Sequence, residues 1–192
     1  MDDVTLKKQE LVDSILNAEL DQFLSVTVDE VYSCQQAPDS FLLYRKAQFD
    51  TWDEATLASY LDDLYAADEE GINLMTVKYA YMGGQLDIPQ DSYYLHAIVE
   101  QLFQWQISFF NQYPILKKGS RPLDEDSKDS TSFKTYLTAE LCTYSENTLR
   151  RLYEHIQQLV ADSQNMSEMI YINTLKSYGY SSLEDYLASH AE

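Results

Sequence analysis

Few residues in this chain carry the types and spacings that chemistry needs. Its 192 residues include three histidines, His96, His155 and His190, and two cysteines, Cys34 and Cys142. The histidines offer no HxxxH, HExxH or ExxH spacing, the pattern that sets two ligands on one helical face. A metal centre would have to draw on Glu19, Gln48, Asp63 and Glu140, as helical bundles do. The same set reads as a buried hydrogen-bond network, and neither a metal nor a cofactor is expected. No GxxxxGK[ST], GxGxxG or GxSxG occurs, so a phosphate-cradling loop and a serine nucleophile elbow have no support.

Two patterns remain. Arg150 and His155 form R-x4-H within RRLYEH. In helical ribonucleases of the HEPN type, such a pair lies at a dimer cleft. There the arginine steadies phosphate and the histidine acts on the 2′-hydroxyl proton. The second pattern is aromatic: Tyr44, Trp52, Tyr60, Tyr136 and Tyr144 fall on inward helical positions. Buried tyrosine hydroxyls need partners, and Glu19, Arg45, Gln48 and Glu140 are available as partners. Together with Cys34, which sits in a polar loop, the aromatics make a candidate ligand-binding set. Cys142, late in a helix, reads as a structural thiol.

The elements that must position these groups are helices. Five glycines and four prolines leave long unpunctuated stretches, and alternation of the strand kind is absent. Helices are expected over about 5–23, 40–50, from Asp53 to Gly71, 73–82, 92–112, 132–143, 145–163, 165–178 and 182–189. Asp53, Asn73, Ser145 and Asn165 stand as caps, with Asn165 and Glu168 as a capping box. Residues 25–39 and 113–130 read as loops, the latter carrying Lys117, Lys118 and Arg121.

A shift of 92 residues brings the chain onto itself. Ten of forty positions between Ser40–Tyr79 and Ser132–Tyr171 are identical without a gap. Chance supplies roughly two or three, and the period is too long for a solenoid. The first helices align at a shift of 87, with Val12, Ile15, Leu16 and Phe23 on Val99, Leu102, Phe103 and Phe110. The expected architecture is all-α, a single helical domain over 1–192. Its eight or nine helices comprise four-helix half-repeats at about 5–83 and 92–180, related by a pseudo-two-fold, and a closing helix at 182–189. Positions where the copies differ are candidate site positions: Glu19 against Gln106, Arg45 against Leu137, Gln48 against Glu140, Trp52 against Tyr144 and Asp63 against His155.

Charge narrows the classes of partner. Thirteen Lys and Arg face 32 Asp and Glu, a net of −19, which opposes binding to nucleic acid and to anionic membrane surfaces. Residues 1–96 hold 5 basic and 19 acidic groups, net −14, and residues 97–192 hold 8 and 13, net −5. No apolar run reaches membrane-spanning length, the start MDDVTLKKQE has no signal-like core, and few cysteines are present, so a cytoplasmic protein is expected.

Several strings resemble one bacterial family: SCQ at 33–35, YRKAQFDTWDEATLASYLDDL at 44–64, EGINLMTVKYAYM at 70–82, TAELCTYSENTL at 138–149 and NTLKSYGYSSLE at 173–184. The family is catalogued as domain of unknown function four-one-two-five, and the resemblance runs from about Glu10 to Glu184. It implies an all-helical fold, no established activity, and company with nucleotidyltransferase-like domains, in the manner of HEPN toxin–antitoxin pairs. The family's Gly-Arg pairs before Asn-Leu and before the cysteine are replaced here by Gly71-Ile72 and Val31-Tyr32-Ser33.

Three functions follow as expectations. The first is a helical protein that binds a protein partner or a small molecule in an aromatic and polar cleft between the repeats. The second is an enzyme using Glu19, Arg45, Gln48 and Glu140, with His155, at the repeat axis. The third is the HEPN-like ribonuclease of Arg150 and His155, which needs a homodimer.

Overall fold

Side-chain caps decide where the helices begin. Asp53, Asn73, Ser92, Ser132, Ser145, Asn165 and Ser182 each accept a hydrogen bond from a backbone N–H two or three residues on. Each such cap is worth about 1 kcal/mol. The protein is described by a computed structural model covering residues 3–26, 38–127 and 130–190.

Among these residues the chain is all-α. Its helices are α1 (Asp3–Ser25), α2 (Pro38–Phe49), α3 (Glu54–Glu69), α4 (Leu74–Met82), α5 (Tyr93–Gln112), α6 (Phe133–Leu141), α7 (Glu146–Ala161), α8 (Met166–Ser177) and α9 (Leu183–Ser189). The polar stretch 113–130 contains a 3-10 turn at Pro114–Lys117, which buries Leu116 against Phe109, Phe110 and α9. No helix among the described residues is long and apolar enough to cross a membrane.

The helices pack in matched pairs. α1 lies on α2 and α3, and α5 lies on α6 and α7. Across the middle, α3 meets α7, while α2 packs on α8 and α4 on α6. α1 and α3 run parallel, since Lys7 meets Glu54 near their starts and Asn73, just after α3, donates to the Gln22 carbonyl near the end of α1.

Local bonds recur 92 residues apart. Thr51 and Thr143 each donate from Oγ1 to the carbonyl three residues back, Gln48 and Glu140. The turn after α3 is closed by Glu70, Gly71 and Ile72 donating to Ala66, Asp68 and Ala67. The turn after α7 is closed by Asp162, Ser163 and Gln164 donating to Gln158, Val160 and Leu159. Gly71 has φ +70° and Ser163 has φ +56°, so a serine holds the left-handed position that glycine occupies without steric cost. The cap residues Asn73 and Asn165 donate from Nδ2 to carbonyls of the long helices, Gln22 and Trp105. Those carbonyls lie 83 apart, one helical turn short of the 87 of the sequence alignment.

The main core gathers Ile15, Phe49, Trp52, Leu57, Leu64, Leu95, Ile98, Leu141, Leu152 and Ile156, all essentially inaccessible. It surrounds a group of charges.

Candidate functional site

Among the described residues α1 buries one polar side chain fully, and it is the anomaly in its apolar stripe: Glu19, with no exposed surface. A lone carboxylate there would be costly by several kcal/mol. Arg45 of α2 meets it with two parallel bonds, Nε to Oε2 at 2.6 Å and Nη2 to Oε1 at 2.5 Å. This fork-on-fork geometry is the strongest that arginine makes. The third guanidinium nitrogen, Nη1, donates to Glu140 Oε1 of α6 at 2.7 Å and to Gln48 Oε1 at 2.9 Å.

Glu140 is the second hub. Its Oε1 also accepts from Gln48 Nε2 at 3.2 Å and from the Tyr144 hydroxyl at 2.8 Å, and its Oε2 accepts from Lys78 Nζ of α4 at 2.7 Å. Tyr60 of α3 donates to Glu19 Oε1 at 2.6 Å. Two carboxylates and two cations therefore neutralise one another inside the core, drawn from α1, α2, α4 and α6. Gln48 and Glu140, which correspond under the 92-residue shift, touch directly.

Burial works against each charge, and the partners overcome it. Arg45 stays far above its ordinary pKa because Glu140 and Glu19 outweigh desolvation. Glu140 is held far below the usual carboxylate range: burial opposes its charge, but Arg45 and Lys78 prevail. Lys78 is raised, since Glu140 outweighs its burial. Tyr60 and Tyr144 stay neutral well above the ordinary phenol range, chiefly through burial and then through the neighbouring carboxylates Glu19 and Glu140.

Rings wall this group in. Trp52 packs edge-on against Phe49, Tyr60 and Tyr144 at centroid distances of 5.1, 5.8 and 6.0 Å. Arg45 lies over Phe49, and Lys78 lies 3.7 Å over Tyr136. Arg121, from the 113–130 stretch, also stacks on Tyr136, which joins the surface to the network.

Of the expected site residues, Glu19, Arg45, Gln48, Glu140, Trp52, Tyr60 and Tyr144 come together, with Tyr136 at the edge. Tyr44 lies apart, exposed, its hydroxyl 3.3 Å from that of Tyr178. His155 contacts the Thr51 carbonyl through Nε2 at 2.8 Å and lies 3.6 Å from Asp53. Asp63, its counterpart in the first half, accepts from the Ser145 N–H. Arg150 binds Asn147 and Glu154 on the surface and shares no partner with His155 among the described residues. Cys34 lies outside the described residues. Cys142 caps the end of α6, half-buried, with its thiol pushed up to about 11 by burial.

Sequence reasoning missed Lys78. It stands alone in the apolar segment LMTVKYAYM, and a single cation in so apolar a helix is the signal that could have found it.

Two hollows on the surface lie near these elements. A groove of about 580 Å³ runs along α1, α3 and the turn into α4, lined by Asn17, Asp21, Leu64, Tyr65, Asp68 and Ile72 among others. A smaller hollow of about 360 Å³ lies beside α5 and α7, lined by Ser92, Leu95, Cys142, Tyr144, Glu146 and Leu149 among others. Neither is lined by Glu19, Arg45, Gln48, Glu140 or Lys78. No group of three or more His, Cys, Asp or Glu among the described residues gathers closely enough to hold a metal ion.

The fold is that of an all-helical protein whose described residues enclose a buried cluster of charges. The chain belongs to the family described as Protein of unknown function (DUF4125), whose sequence profile matches residues 9–187. No curated protein and no solved structure matches it.

Proposed function

We propose that this protein is a non-catalytic helical binding module built from two copies of one four-helix unit. Its buried charges clasp the copies together, and its open groove along α1 and α3 receives a protein partner. The observation that carries this reading is the saturation of the network. Both oxygens of Glu19 and Glu140, and the Nε, Nη1 and Nη2 atoms of Arg45, are bonded within it, and neither hollow reaches them. A catalytic group must touch a substrate, and these groups touch one another.

The recurrence of caps, turns and packing pairs 92 residues apart supports the duplication. The groove supports the binding role because it is open and lined by both polar and apolar side chains. Its carboxylates Asp21 and Asp68 enter no ion pair among the described residues. The company of nucleotidyltransferase-like domains, implied by the family resemblance, supports a protein as the partner.

Urea unfolding of two variants tests the reading. Glu140→Gln leaves Arg45 and Lys78 buried beside a neutral amide and should cost about 3–5 kcal/mol. Asp68→Asn, at a position offered for binding, should stay within about 0.5 kcal/mol of the parent or raise it. Residues kept for chemistry are held at a cost to stability. A Glu140→Gln protein as stable as the parent would therefore transfer the site to the network and make the chain an enzyme candidate.

A further inference from the structure

Two turns share one backbone, and they carry different charges. The turn after α3 and the turn after α7 are closed by the same three backbone bonds. The first is flanked by Asp68, Glu69 and Glu70, and the second by Val160, Ala161 and Asp162 at the corresponding positions. The turn can therefore be built without the acidic run. All three first-half carboxylates are solvent-exposed and none forms an ion pair among the described residues.

The placement is also electrostatically adverse. Because α1 and α3 run parallel, their negative C-terminal ends emerge side by side. No basic residue occupies the last turn of either helix. Asp21 and Asp68 add two carboxylates at that end, across the groove. In the smaller hollow the acidic groups Asp91 and Glu146 lie at the N-terminal ends of α5 and α7, where helix dipoles already balance them. The N-terminal end of α4 at Asn73 also faces the groove and opposes part of this potential, but no cationic side chain among the described residues pairs with Asp21 or Asp68. The groove also has apolar character: Ile72 and Tyr65 are 41% and 53% exposed, and both line it.

We propose that this groove docks a lysine- or arginine-bearing, partly apolar segment of a partner protein, with Asp21 and Asp68 taking the cations and Tyr65 and Ile72 the apolar side chains. The proposal deepens the binding reading above and rests on it. Charge complementarity selects a cationic occupant. The extent of the groove and its exposed apolar residues select a segment over a single ion.

Fluorescence anisotropy with two labelled twelve-residue amphipathic helices, one of Leu and Lys and one of Leu and Glu, tests it on the full chain. The Lys peptide should bind and the Glu peptide should not. Asp21→Asn with Asp68→Asn should weaken binding about tenfold or more, as losing charge-assisted bonds does. Ile72→Ala should weaken it severalfold, and Asp162→Asn should leave it unchanged. Circular dichroism melts confirm that each variant is folded. Equal binding by the double variant, or displacement by spermine as effective as by unlabelled Lys peptide, would reduce the effect to a diffuse ion atmosphere and overturn the proposal. Absence of binding to the parent protein would overturn it as well, while leaving the unfolding test of the binding reading standing. Concentration-dependent self-association in sedimentation velocity, abolished by the double Asn variant, would replace the partner with a second copy and also overturn it.

Discussion

The buried cluster around Arg45 and the groove along α1 and α3 are two concentrations of charge that obey opposite rules. In the cluster every ionised group is answered: two carboxylates, two cations, two tyrosine hydroxyls and one amide close on themselves within hydrogen-bond distance. In the groove the carboxylates Asp21 and Asp68 have no cationic side chain set against them among the described residues. A closed polar network contributes specificity of packing and resists change. An open, one-signed surface contributes little to stability and is suited to meeting something else. The residue types most suggestive of chemistry lie in the first region, and the room for a partner lies in the second.

The sharpest break of this contrast is Arg45→Leu, which installs the residue that the second half carries at Leu137. It leaves Glu19 and part of Glu140 buried without their main partner. Global stability should fall by about 3–5 kcal/mol or more, enough to unfold a marginal domain at room temperature. The same change at an exposed ion pair, Arg150→Leu beside Glu154, should shift stability by less than about 1 kcal/mol. Differential scanning calorimetry checks both.

A smaller effect compares the halves directly. Asn73→Ala and Asn165→Ala each remove a cap and a donor to a carbonyl of a long helix. Each should cost about 1–2 kcal/mol, and a large inequality between them would break the equivalence of the two units. Smaller still, Ser163→Gly should stabilise by up to about 1 kcal/mol, because a side chain at φ +56° carries steric strain. Gly71→Ala should cost a similar amount, because φ is +70° there although the space around it is open.

Acid and base should dismantle the clasp from opposite ends. Glu140 has a depressed folded pKa, so its contribution is present above the unfolded glutamate value, about 4.3, and is lost as pH falls through the folded value. Tyr60, Tyr144 and Lys78 have raised folded pKa values. Their contributions are present below about pH 10 and are lost as pH rises through the folded values. The stability of Glu140→Gln should therefore fall less steeply than the parent's below about pH 4.

Much of this was legible in the residues. The helices stood out because their caps, Asp53, Asn73, Ser145 and Asn165, are local signals that need no tertiary context. Glu19 stood out as the polar residue in an apolar stripe. Arg45, Gln48 and Glu140 stood out because aligning the chain on itself at a shift of 92 residues marks them as positions that differ. Lys78 did not, because a lysine on a short helix ordinarily reaches solvent, and only the packing of α4 on α6 turns it onto Glu140. The groove did not either: Asp21 and Asp68 are nearly fifty residues apart, and their meeting depends on α1 and α3 running parallel. The 113–130 stretch read as loop because a single 3-10 turn has too few residues to show a period.

The closed state of the cluster can be measured at one atom. A carbon-13 NMR titration following the side-chain carboxyl of Glu140 in the full chain should show no inflection through the ordinary glutamate range near pH 4, because Arg45 and Lys78 hold it ionised. A Glu140 carboxyl that titrates at its ordinary value would mean that water and the solvent proton reach it freely, and would contradict the clasp.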